Sequence, residues 1–401
     1  MNYTFTLGSC PLSLNLNPTV NSQLLTHLSF ASILKPMISR REFIKLTALG
    51  ASSLALRPWG RLLALPDFPE AERLGRVAVG MVELKVRPDP DSPTLGVLYE
   101  DAVLPWLREA ASAQPAYIFN NQRWVETPEG YIYGPYLQPV YNRPNQPLEE
   151  FPSSSRGPGM WAEVTVPFAE ATLDKGEPSS NSWAEAKTEQ GLPLRVYYSQ
   201  AFWVDQLRKN DRGEVFYRVN PNFYGGVDML WVDARAFRPI TNDDLAPIRP
   251  EVLSKRIEVD VTHQTLSCFE GNAEVYYCRV STGAKFDMYG NPVDKWATPV
   301  GLHRITRKYI SLQMSGGTTG AGYDLPGIAW TSIFATGGVA IHSTFWHNNY
   351  GDPVSHGCVN ASPDDAKWIF RWTTPNVVYD PGMVDVTITG DESTPVKVVE
   401  G

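Results

Sequence analysis

Residues 341–360 read IHSTFWHNNYGDPVSHGCVN, and the rest of the chain is interpreted outward from them. The stretch holds three of the six histidines, His342, His347 and His356, and one of the four cysteines, Cys358. A helix start follows at once: Ser362 as N-cap, Pro363 in the first turn, Asp365 to complete a capping box, then Ala366-Lys367-Trp368-Ile369-Phe370. Cys358 therefore ends a strand or turn just ahead of a helix N-terminus. A free thiol titrates near ~8.5 and an imidazole near ~6.5. The positive end of the helix dipole and a nearby imidazolium both favour thiolate. A thiolate–imidazolium pair is expected, the activated nucleophile of acyl transfer. Gly357 lets the backbone approach closely, and the amides of Gly357 and Cys358 are the expected oxyanion donors.

Ser355-His356-Gly357-Cys358-Val359-Asn360, with Ile341-His342-Ser343 upstream and thirteen residues between His342 and His356, resembles the signature of the L,D-transpeptidase (YkuD-type) catalytic domain. Val280-Ser281-Thr282-Gly283 and Thr298-Pro299-Val300-Gly301 resemble that family's S-T-G and T-P-x-G elements. The resemblance implies a β-sandwich-like mixed-sheet domain with few short helices. It implies Cys358 as nucleophile and His342 as general base, with Ser343 orienting His342 through its carbonyl. His356, Gly357 and Ser355 are placed around the oxyanion, and Asn360, Trp346 and Tyr323 against substrate. The implied reaction starts with attack on a peptidoglycan tetrapeptide stem. D-Ala leaves, a thioester forms, and the amine of a second stem resolves it to a 3→3 cross-link. Water as acceptor gives an L,D-carboxypeptidase instead. Donor and acceptor stems are the implied partners, carbapenem-type compounds the implied inhibitors, and no metal or other cofactor is required.

Other residues of the stretch are less constrained. Phe345 to Tyr350 fill the spacer and are expected to wall the cleft. His347 is either a contact behind the site or an exposed loop residue. Residues 315–322, SGGTTGAG, are rich in glycine but lack the Gly-Lys-Ser/Thr of a phosphate loop, so a flap beside Tyr323 is expected.

Outside this segment the chain reads as mainly β. Proline is 33 of 401 residues, above the typical ~5%, which favours short strands and turns over helical bundles. Residues 75–141 alternate apolar and polar positions between turns, the pattern of a small barrel. The run Leu84-Lys85-Val86-Arg87-Pro88, the later Trp124-Val125-Glu126 and Gly130-Tyr131-Ile132-Tyr133-Gly134-Pro135 resemble a bacterial Src-homology-3-like domain. Residues 142–157 read as a linker, 160–245 as a second β-rich, Src-homology-3-like domain, and 251–390 as the catalytic domain. The Trp and Tyr residues of the two leading domains serve either a barrel core or a carbohydrate or peptide platform. In the catalytic segment Leu266 to Cys278 forms a hairpin about Gly271-Asn272. That register sets Cys268 opposite Val275 and Cys278 opposite Thr265, so no disulfide is expected.

Residues 37–64 begin Met-Ile-Ser-Arg-Arg-Glu-Phe-Ile-Lys and continue into an apolar run, resembling a twin-arginine export signal. Met37 is a candidate start, and residues 1–64 are set aside as leader. The expectation is an exported protein in the cell wall or periplasm, tethered to the membrane only if the signal stays uncleaved. The formal net charge of −8 disfavours a nucleic-acid partner. No apolar stretch reaches the ~20 residues of a membrane span. A zinc site from His342, His347, His356 and Cys358 has the donors but no acidic base in an H-E-x-x-H arrangement. Other wall cysteine peptidases place Cys before His, the reverse of the order here. A wall-binding protein with a spent catalytic domain is the rival from a different class, although every motif position is occupied.

Overall fold

The structure is a computed structural model, and it describes residues 63–112, 121–180, 182–225, 228–286, 291–292, 294–316, 323–389 and 392–401. The leader and its export signal, and residues 317–322 of the expected flap, lie outside the described residues. The described chain is mainly β, with strands gathered into several sheets and four short α-helices. None of these helices is long and apolar enough to cross a membrane.

Residues 74–140 form two small sheets. Leu74–Val77 pairs on both edges, with Val103–Pro105 and Leu137–Val140. A five-stranded antiparallel sheet runs Thr94–Tyr99, Met81–Lys85, Gly130–Tyr133, Arg123–Thr127, Arg108–Ala111. Val77, Val82, Leu84, Leu104, Trp106, Val125, Ile132 and Leu137 form their common core. The alternation in Met81–Lys85 explains the layering: Val82 and Leu84 are buried, while Met81 and Glu83 between them are exposed.

Residues 160–239 form a seven-stranded sheet whose core includes Met160, Val164, Phe202, Tyr217, Val232 and Phe237. The stretch that reads as a linker is fastened to this segment. Leu148 and Phe151 pack on its core, and the Leu148 amide donates to Tyr217 Oη at 2.6 Å. Trp106, Trp124, Trp161, Trp203 and Trp231 are buried, whereas Tyr99 and Tyr136 are exposed and Trp183 is half-buried.

Two five-stranded sheets make up residues 255–399, the segment that reads as the catalytic domain. One runs Ala273–Arg279, Thr265–Glu270, Lys255–Asp260, Pro395–Val399, Gly301–Arg304; the other runs Val359–Ala361, Val339–Ser343, Tyr323–Ala335, Arg307–Gly316, Met383–Asp385. Each contains one parallel pair, so both sheets are mixed. The helix Pro363–Trp372 buries Ala366, Ile369, Phe370 and Trp372 into the same core. Its N-cap is the expected Ser362, whose Oγ accepts from the Asp365 amide at 3.2 Å. Asp365 does not return to the Ser362 amide; its carboxylate accepts from Ser362 Oγ and, at 2.6 Å, from Tyr276 Oη. The C-terminal carbonyls are satisfied by two buried lysines. Lys308 Nζ donates to the carbonyls of Phe370, Thr373 and Pro375, and Lys255 Nζ to that of Trp372.

The hairpin corrects one register. Glu270 pairs with Ala273, so the turn centres on Gly271-Asn272 as its sequence requires. A bulge between Cys268 and Phe269 then shifts the pairing by one, and Cys268 lies opposite Tyr276 and Cys278 opposite Leu266. Both cysteines are free thiols buried in the main core. That core also takes in Trp161, Ala201, Trp203, Ile240 and Leu245, so the second segment and the catalytic segment share it.

Candidate active site

Two adjacent parallel strands build the site. Val339–Ser343 pairs with Val359–Ala361, with Ile341 beside Val359, His342 beside Asn360 and Ser343 beside Ala361. Side chains alternate along a strand, so one face of this pair carries Ile341, Val359 and Ala361, which join the main core. The other face carries His342 and Asn360, and Cys358 two residues before Asn360. These three line one cavity of about 250 Å³, together with Met314, Tyr323, Leu325, Ile328, Trp346, Val354, Ser355 and His356. The alternation thus separates chemistry from packing within a few residues.

The turn before the second strand is braced by both of the sequence elements that resemble the family's S-T-G and T-P-x-G blocks. Ser281 and Asn360 exchange backbone hydrogen bonds, and the Ser355 amide donates to the Thr282 carbonyl at 3.0 Å. Thr298 Oγ1 accepts from the Gly283 amide and donates to the Gly357 carbonyl, both at 2.9 Å. Gly283 has to be glycine, because a Cβ there would fall 1.9 Å from the Trp296 carbonyl oxygen. Gly357 has φ +117°, a conformation that L side chains rarely adopt.

Ser355 organises the turn from inside: its Oγ donates to the Cys358 carbonyl at 2.5 Å and accepts from the Gly357 amide at 3.1 Å. This changes one expectation. The Gly357 amide, read from sequence as an oxyanion donor, is engaged by Ser355.

His342 is fully enclosed, and its Nδ1 lies 2.9 Å from the Ser343 carbonyl. A carbonyl only accepts, so Nδ1 carries the proton and the lone pair of the neutral ring is on Nε2. Burial lowers His342 to about 4, opposed by the bond to Ser343. Burial raises the Cys358 thiol to about 11, opposed by a hydrogen bond from the Ala340 backbone. Both shifts favour the neutral thiol and the neutral imidazole over the expected ion pair. Loss of water disfavours both charged forms and is the largest cause of each shift. Sγ also lies 4.0 Å from the Gly338 carbonyl.

The other expected site residues fall around this pair. The Trp346 ring centroid is 5.8 Å from that of His342. Burial is the main cause that raises Tyr323 to about 12, with the Cys358 charge adding to it. His356 packs edge-on against Trp296 at 4.6 Å, and its buried Nε2 has no protein partner. Burial and the charge of Lys295 both lower its pKa.

His347 is not an exposed loop residue. Its Nδ1 accepts from the Asn349 amide at 3.0 Å, and its Nε2 lies 2.8 Å from the Asn360 side-chain amide. Because Nδ1 accepts, the proton of the neutral ring is on Nε2, and Nε2 donates; the Asn360 atom that meets it is then the carbonyl oxygen. Burial, reinforced by His342, lowers His347 to about 3. Among the described residues, no group of histidine, cysteine, aspartate and glutamate is arranged to hold a metal ion.

A second cavity, of about 700 Å³, shares Tyr323, Leu325 and Trp346 with the first. Sequence reasoning missed it, because its remaining walls come from all three segments: Arg76 and Glu100 from the first, the helix Trp183–Glu189 with Arg195 and Tyr197 from the second, Asp324 and Phe345 from the third.

Residues 254–398 match the family model of the L,D-transpeptidase catalytic domain (YkuD). Solved structures similar to this chain include an L,D-transpeptidase from Mycobacterium smegmatis, 18% identical over 49% of this chain and 98% of its own, with a TM-score of 0.28. L,D-transpeptidase 3 from Mycobacterium tuberculosis is 17% identical over 48% of this chain and 81% of its own, with a TM-score of 0.28. The catalytic domain of the E. faecium L,D-transpeptidase is 21% identical over 36% of this chain and 96% of its own, with a TM-score of 0.24. Among such structures, one L,D-transpeptidase is in complex with imipenem and another carries a faropenem-derived adduct. No curated protein is matched by this chain's sequence.

Proposed function

We propose that the chain is an exported peptidoglycan L,D-transpeptidase that forms 3→3 cross-links through a thioester on Cys358. One observation carries the reading. Cys358 and a His342 whose Nδ1 proton is locked onto the Ser343 carbonyl line the same cavity, within the segment that matches the L,D-transpeptidase catalytic domain.

The geometry supports the following sequence. The carbonyl of the stem's diamino acid enters the cavity beside Sγ. Sγ attacks that carbonyl while its proton passes to Nε2 of His342, the nitrogen left free by the Ser343 bond. The oxygen's negative charge is met by the Cys358 amide, since the Gly357 amide is held by Ser355. The tetrahedral species breaks its C–N bond, D-Ala leaves with the proton from His342, and the thioester remains. The amine of a second stem attacks the thioester, gives a proton to His342, and expels Sγ, which takes the proton back. Because thiol and imidazole are both neutral at rest, the proton moves during attack. Asn360, Trp346 and Tyr323 are placed to contact the stem. The first two segments are Src-homology-3-like, and residues 37–64 direct twin-arginine export to the wall or periplasm.

The test is incubation of the purified protein with a tetrapeptide stem and a second stem, read by mass spectrometry. The expected products are free D-Ala and a cross-linked dimer. A tripeptide with no dimer makes the protein an L,D-carboxypeptidase. Absence of both products, with sacculus binding intact, makes it a wall-binding protein.

A further inference from the structure

We infer that the first β segment is a working part of the catalytic site: through Arg76, Asn121 and Arg123 it fixes the backbone of residues 345–350, and so sets Trp346 and His347 against His342 and Asn360. The inference rests on the proposed reading for its activity readout only.

Residues 345–350 open the connection between the two strands of the site, Val339–Ser343 and Val359–Ala361, and are held largely by the first β segment. Arg76 Nη2 donates to the Phe345 carbonyl at 2.6 Å, across 269 positions of sequence. Arg123 Nη2 donates to the Asn348 carbonyl at 2.9 Å. The Asn348 amide donates to the Pro135 carbonyl at 3.0 Å, and Asn348 Nδ2 to the Gly134 carbonyl at 3.2 Å. Asn121 Nδ2 donates to the Tyr350 carbonyl at 3.3 Å. A loop of mixed polarity with several buried residues is thereby given the partners that buried backbone groups need.

Arg76 is the central anchor. It lies in the strand Leu74–Val77, is 2% exposed, and uses its other donors on Asp101 at 2.7 Å and on Gln138 at 2.8 and 3.1 Å. Asp101 also accepts from Arg195 at 2.6 Å and Tyr197 Oη at 3.2 Å, so this partner of the guanidinium is itself held. The Tyr197 ring stacks on Phe345 with centroids 5.6 Å apart and planes at 13°. A buried, fork-shaped cation that places four hydrogen bonds fixes a backbone carbonyl more tightly than an exposed loop contact would. Two side chains carry the position inward: the Trp346 ring beside His342, and the His347 Nε2 on Asn360.

The test uses the full chain with three substitutions: Arg76→Met, Arg123→Ala, and Arg108→Ala as a control on the same sheet. Arg108 is exposed and pairs with Glu126, away from the link. Arg123 is only half-buried, so Arg123→Ala covers the case in which Arg76→Met does not fold. Three readouts are taken: thermal unfolding, hydrogen exchange of the 345–350 amides, and the pH profile of Cys358 alkylation by iodoacetamide. The rate of acylation by a carbapenem is measured beside them. Arg76→Met is expected to lower the acylation rate at least about tenfold and Arg123→Ala about threefold, as small displacements of positioned groups do. Exchange at 345–350 rises, and the alkylation profile moves to lower pH as water reaches the thiol. Arg108→Ala changes none of these. The inference is overturned if exchange, alkylation profile and acylation in the two folded variants stay within twofold of the unaltered protein. If the unaltered protein is not acylated at all, the transpeptidase reading fails, and exchange and alkylation still decide this one.

Discussion

Of the three described cysteines, Cys268 and Cys278 are buried and Cys358 is half-buried, and their environments treat them differently. Cys268 and Cys278 lie inside the 265–279 hairpin, packed in the main core, and burial drives both thiols far above the ordinary range. Cys358 is half-buried and sits on the cavity face of its strand with His342 and Asn360. Desolvation raises all three thiols, so a raised thiol does not by itself distinguish a structural cysteine from a chemical one. What distinguishes Cys358 is that the desolvated sulfur borders space for a ligand and shares that space with an imidazole whose proton position is fixed. Cys268 and Cys278 have apolar neighbours and no such space.

The largest test of this contrast is deletion. Cys358→Ala is expected to abolish carbapenem acylation, read by intact mass, while Cys268→Ala and Cys278→Ala keep it. Those two variants instead lose about 1–3 kcal/mol of stability in urea unfolding, the usual range for a core substitution. Acylation persisting in Cys358→Ala would remove the basis of the comparison.

A smaller effect sharpens it. Because desolvation raises the Cys358 thiol to about 11, its native alkylation rate is expected to climb about tenfold per pH unit from pH 7 to 10. A rate already flat from pH 6 upward means a resting ion pair and reverses the assignment. Cys268 and Cys278 stay unmodified over that range while the protein is folded.

The smallest effect is on stability. His342 is lowered to about 4 and His347 to about 3, both by burial. In the unfolded chain each binds its proton near ~6.5. Between these values the unfolded state holds more protons, so stability rises with pH there and is lost as acid is added. The slope reaches about 1.4 kcal/mol per pH unit for each histidine. His347→Asn is expected to remove about half of the slope that the pair contributes between pH 4 and 6.5, measured by unfolding at several pH values. An unchanged slope means that His347 is not buried as a neutral ring.

Much of the local structure was legible. The Ser362 cap and the turn at Gly271-Asn272 follow from residue types that dictate conformation over a few positions. The thirteen-residue spacing brought His342 and Cys358 to attention together. The bulge that shifts Cys268 and Cys278 was not legible, because nothing in Cys268 or Phe269 marks the break in pairing. His347 looked ambiguous because its burial depends on Asn360 and on a loop pinned by residues more than two hundred positions away.

Residue order alone settled the mainly β character of the chain and which side chains are candidates for chemistry, since both depend on short-range patterns of polarity, turn residues and spacing. The charge state of the thiol, the loss of the Gly357 amide to Ser355 and the grip of Arg76 on Phe345 were decided only in three dimensions. Desolvation and long-range hydrogen bonds depend on what surrounds a group in space, and no local pattern of residues encodes that.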